Sequence, residues 1–82
     1  MHHSGKFQKL EEIVLNVLRK GNARIGQSFP YQMVCAGAAK EQLSRNDVTD
    51  YVQELKNHRL LTADERLTEG LIKKAGLKQV AA

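Results

Sequence analysis

The sequence has no tryptophan, a single cysteine, a single proline, and an aromatic complement of two tyrosines and two phenylalanines. One cysteine excludes an internal disulfide and any zinc site built on several thiolates. Cys35 lies in the apolar stretch Met33-Val34-Cys35-Ala36, which predicts a small buried thiol. A nucleophilic thiolate would need an activating cation beside it, and nothing in the sequence brings His58, the only internal histidine, near Cys35. No apolar run approaches the ~20 residues of a membrane span. The N-terminal Met1-His2-His3-Ser4-Gly5-Lys6 has no apolar stretch behind it to act as a signal peptide, so a cytoplasmic location and no membrane partner are expected. The chain also lacks a G-x-x-x-x-G-K phosphate loop, metal-ligand spacing and a carboxylate pair with a histidine. No enzyme and no cofactor are therefore expected. His2-His3 is the one pair of adjacent metal-ligand side chains, and a frayed terminus or the remnant of a tag is its expected meaning.

What remains is a globular balance. The 82 residues are 41% hydrophobic and 27% charged, with Lys plus Arg at 13 against Asp plus Glu at 9, a net charge of +4. That length holds one domain with a compact core, assigned to residues 7–78 after an N-terminal segment 1–6 expected to be disordered. A pI near 9.5 suggests a polyanionic partner.

Apolar residues Phe7, Leu10, Ile13, Val14, Val17 and Leu18 recur at spacings of three and four, predicting a first helix over 7–20 that ends at Gly21-Asn22. Ala23-Arg24-Ile25-Gly26 is short enough to add one strand to a small sheet. Pro30 suits the first turn of a second helix, over 31–41, with Val34, Cys35 and Ala38 inward. Ser44 followed by Asp47 reads as a capping box, with Asn46 an alternative cap, opening a third helix that runs to about Asn57 on Val48, Tyr51, Val52 and Leu55. Two short extended pieces around Ala63-Asp64-Glu65 predict a β-hairpin. Thr68 caps a last helix carrying Leu71, Ile72 and Ala75 and ending at Gly76. The order is helix, short strand, helix, helix, hairpin, helix.

The stretch LSRNDVTDYVQELKNHRLLTADERLTEG, residues 43–70, resembles the recognition helix and wing of winged helix-turn-helix proteins, including repressors of the multiple-antibiotic-resistance type. The resemblance rests on Leu43-Ser44, on Val48, Val52 and Leu55, on Leu60-Leu61, and on Leu67-Thr68-Glu69-Gly70. It implies a mainly α fold with a small β-hairpin, a winged helix-turn-helix. It further implies a small bacterial, phage- or plasmid-type transcriptional regulator whose third helix enters a DNA major groove.

Helical geometry leaves Asn46, Asp50, Gln53 and Asn57 at the centre of the third helix's outer face, with Thr49 and Lys56 on one flank and Asp47 and Glu54 on the other. Asn46, Thr49 and Gln53 are the candidate base readers, and Arg45, Lys56 and Arg66 the candidate phosphate contacts. Asp47, Asp50 and Glu54 oppose this, because carboxylates are repelled by phosphates. They support a second reading, in which the acidic face of the same helix docks on a protein partner without DNA. A homodimer reading two half-sites is compatible with either helix one or the last helix as its interface.

Overall fold

The computed structural model describes residues 3–78. Among them are four helices, α1 (His3–Lys20), α2 (Tyr31–Lys40), α3 (Arg45–Asn57) and α4 (Glu69–Lys74). Each stands where apolar spacing predicts a helix. α1 begins at His3 rather than Phe7 and so takes in Lys6. Met1 and His2, and with His2 the histidine pair, lie outside the described residues.

The arrangement is a small helical bundle in which α1 packs on both α2 and α3, and α2 on α3. Leu10, Val14 and Leu18 from α1, Val34 and Ala38 from α2, and Val48, Val52 and Leu55 from α3 are each 2% exposed or less. Leu61, Leu67, Leu71 and Ile72 close the core from the C-terminal side. Fully burying such a side chain contributes about 1.5–3 kcal/mol, so this stripe-on-stripe packing is the main stabilising term. Cys35, expected inward on α2, is only half-buried, at the edge of this core.

All four helices end in the same way. The residue after each C-cap takes a left-handed conformation, Asn22 (φ 50°), Gln42 (φ 62°), Arg59 (φ 60°) and Gly76 (φ 79°). The following N–H then reaches back to the last turn: Ala23 to Leu18 O, Leu43 to Ala38 O, Leu60 to Leu55 O and Leu77 to Ile72 O, at 2.8–3.1 Å. This is the Schellman arrangement, and in each case an apolar side chain follows the turn and folds back on the core. α4 is short, and side chains fasten it to α1: Arg19 Nε donates to Ala75 O at 2.7 Å, and Lys74 pairs with Glu11 at 2.7 Å.

The expected wing and its sheet are absent. Among the described residues there is no β-strand, only the isolated antiparallel bridges Ser28↔Arg66 and Leu61↔Leu67. The fold is therefore a helical bundle and not the winged helix-turn-helix, mainly α with a small β-hairpin, that the resemblance implies. The cause is local. The Leu60 and Leu61 N–H groups both turn back to Leu55 O and finish α3, which removes Leu61's donor from any ladder. Residues 62–65 form a tight turn, with Glu65 N–H on Thr62 O at 2.9 Å and Glu65 at φ 64°. Ala23-Arg24-Ile25-Gly26 is likewise no strand: Ala23's N–H caps α1, and Gln27 N–H turns back to Arg24 O.

Candidate nucleic-acid interface

α3 follows α2 through a short connection, residues 41–44, and its start is fixed by a complete capping box. Ser44 Oγ accepts from Asp47 N–H at 3.1 Å, and Asp47 Oδ2 accepts from Ser44 N–H at 2.8 Å. The cap commits the Asp47 carboxylate, and Lys6 Nζ from α1 adds an ion pair at 3.1 Å. The Ser44 backbone bond and then Lys6 hold Asp47 below the usual carboxylate range. Glu54 is engaged on the same edge of the helix, with His58 Nε2 2.7 Å from its carboxylate one turn on. Glu54 and His58 line a hollow shared with Phe7, Gln8 and Glu11 of α1, which identifies this edge as the one nearer α1. Of the three carboxylates that oppose a DNA-facing role, Asp50 alone is exposed with no ion-pair partner among the described residues.

The other edge has a different character. Arg45 and Thr49 line an open groove of about 580 Å³ with Tyr31, Gln32, Cys35 and Ala36 of α2. Gln53, Lys56 and Asn57 line a second, of about 670 Å³, with Arg59, Leu61, Thr62, Ala63 and Thr68. Five of the six candidate residues, Arg45, Asn46, Thr49, Gln53 and Lys56, thus lie on α3, and all but half-buried Lys56 are exposed. Their present bonds differ. Arg45 has no ion pair among the described residues. Thr49 Oγ1 donates to Arg45 O at 3.1 Å, and Gln53 Nε2 donates to Asn57 Oδ1 at 3.1 Å. Lys56 pairs with Glu65 at 2.7 Å.

Arg66 stands apart, in the turn that replaces the wing. Its guanidinium bonds the Gly26 carbonyl at 2.9 Å and the Asp64 carboxylate at 3.3 Å. Thr62 Oγ1 donates to that same carboxylate at 2.5 Å and accepts from Arg66 N–H at 2.9 Å. Thr62 and then Arg66 hold Asp64 below its ordinary range.

Sequence reasoning misses three participants, Lys6, Tyr31 and Glu65. Lys6 falls in the segment 1–6 expected to be disordered. The cluster of Tyr31, Lys56 and Glu65, in which the Tyr31 hydroxyl hydrogen-bonds the same carboxylate that holds Lys56, joins residues too far apart for any local signal. The i,i+4 spacing of Glu54 and His58 was readable in advance. The chain matches no protein-family model, no curated protein and no solved structure.

Proposed function

We propose that the protein is a small regulator that binds double-stranded DNA through the outer face of α3. One observation carries this reading. On the edge nearer α1, Asp47 is ion-paired with Lys6 and Glu54 is hydrogen-bonded to His58, while the outer face and its opposite edge present Arg45, Asn46, Thr49 and Gln53, with Asp50 the one carboxylate of α3 that has no side-chain partner among the described residues. Amides and a hydroxyl on an exposed helix are the side chains that read base edges, and an unpaired guanidinium is suited to a phosphate. The net charge of +4 supplies the attraction that brings such a surface to DNA.

Titration of a random-sequence duplex at ~50 mM and ~200 mM salt tests the reading, since each phosphate neutralised releases counterions and steepens the salt dependence. Binding at low salt that falls steeply as salt rises supports it. No binding at ~50 mM salt overturns it and leaves the partner-protein reading, in which Asp50 and its neighbours dock on a basic surface.

A further inference from the structure

The turn 62–66 lies against α3, and its acidic residues hold the cations nearest to them. Lys56 Nζ is 2.7 Å from Glu65 Oε2, with the two side chains 24% and 33% exposed. Arg66 Nε is 3.3 Å from Asp64 Oδ2. A carboxylate with this geometry offers a lysine what a phosphate oxygen offers it: a negative oxygen at ion-pair distance.

We infer that Glu65 is an autoinhibitory counterion, occupying Lys56 in the free protein so that a DNA phosphate must displace it. This rests on the DNA-binding reading above and adds a regulation of the same face.

Three features support it. Glu65 is held in place from both ends: its backbone is fixed in the tight turn by its N–H on Thr62 O and by its carbonyl accepting from Phe29 N–H, each at 2.9 Å, while Lys56 and Tyr31 both hold its carboxylate. Lys56 also lines the groove that contains Gln53 and Asn57, so a released ammonium stands beside the polar face. The pair is partly exposed rather than sealed, and a competing anion can reach it from solvent. Lys56 is thereby a conditional phosphate contact, made when the duplex fits closely enough to exchange one anion for another. A loosely held duplex binds without it.

The test compares the full-length protein with Glu65→Gln, Lys56→Gln and the double variant, by fluorescence anisotropy on a labelled random-sequence duplex across ~50–200 mM salt. Glu65→Gln is expected to bind severalfold tighter at low salt, with the log–log salt slope steeper by about 0.9, one additional phosphate contact. The gain must vanish when Lys56→Gln is also present, because removing a negative charge by itself would favour DNA whether or not Lys56 is there. Glu65→Asn serves as a second variant that tolerates the left-handed backbone, and melting curves establish that each variant is folded. Wild-type binding with no gain in Glu65→Gln, or a gain that survives Lys56→Gln, overturns the inference and leaves the DNA reading standing. Absence of binding by every form overturns both.

Discussion

Gly37 of α2 faces Ile13 of α1 so closely that a Cβ added at Gly37 would lie 2.8 Å from Ile13 Cγ2. In the sequence Gly37 is a weak point in a helix, up to about 1 kcal/mol poorer than alanine, and also a residue that lets a neighbouring helix approach closely. The structure shows that close approach. Gly37→Ala gains helix propensity but drives a methyl into a β-branched side chain that cannot swing aside, and such overpacking costs about 1–3 kcal/mol. The expected net effect is a loss of about 1 kcal/mol, a fall in Tm of roughly 4–8 °C for a domain of this size. Ile13→Leu removes Cγ2, so the double variant should recover part of the loss in thermal melts. Independent, additive losses would show that the contact does not limit the packing.

The repeated helix ending gives a stabilising prediction. Gln42 holds φ 62° at the end of α2, and its side chain is exposed. Left-handed backbone costs an L-residue roughly 1–2 kcal/mol, and glycine avoids the clash while losing some unfolded-state restriction. Gln42→Gly should therefore raise stability by about 0.5–1 kcal/mol. Thermal or urea melts check this, and an unchanged or lowered midpoint would refute it. Gly76 already occupies the matching position after α4.

Alkaline pH should destabilise the fold through its two tyrosines. Burial pushes Tyr31 up to about 12, with Glu65 adding to the shift, and burial pushes Tyr51 to about 12, with the charges of Glu11 and Glu54 adding. A raised pKa means that the folded state favours the neutral phenol. The contribution is complete below the ordinary value near 10 and is lost as pH rises from there through about 12. With no tryptophan in the chain, tyrosinate absorbance reports these groups directly. Titration should proceed above the range of the unfolded chain, and Tyr51→Phe should flatten the alkaline loss of stability. Coincident titration of folded and urea-unfolded protein would contradict this.

The helices were legible because each carries its own information. Val48, Tyr51, Val52 and Leu55 define a stripe, and Ser44 and Asp47 a start, within one short segment. The wing was not legible, because a hairpin is decided by where backbone donors go. Leu60-Leu61 and Arg66-Leu67 have a strand-like composition, but Leu61's N–H is drawn back to Leu55 O by the left-handed turn at Arg59. Nothing in the residue type of an arginine announces that turn. The outer face of α3 was readable from periodicity, while its electrostatics were not. Lys6 reaches Asp47 and Glu65 reaches Lys56 across the fold, and each pairing changes what the face presents.

Arg45 and Asn46 are adjacent, and on the proposed function they do different work. Arg45, with no ion pair among the described residues, is suited to a phosphate, so Arg45→Ala should weaken binding to every duplex alike and reduce the salt slope by about 1. Asn46 carries no charge to release counterions. Asn46→Ala should leave the slope unchanged and cost about 1–3 kcal/mol only on the preferred sequence, where an amide pairs with a base edge. Asp50→Asn should strengthen binding to all sequences, since it removes the carboxylate of the face that has no side-chain partner among the described residues. Selection from a randomised duplex pool, followed by titration of the selected and a scrambled site, separates these effects. If Asn46→Ala and Gln53→Ala select the same sequence as the wild type with the same preference over the scrambled site, α3 does not read bases. Contacts by Arg45 would then be confined to the backbone, and the protein would bind DNA without choosing among sequences through this helix.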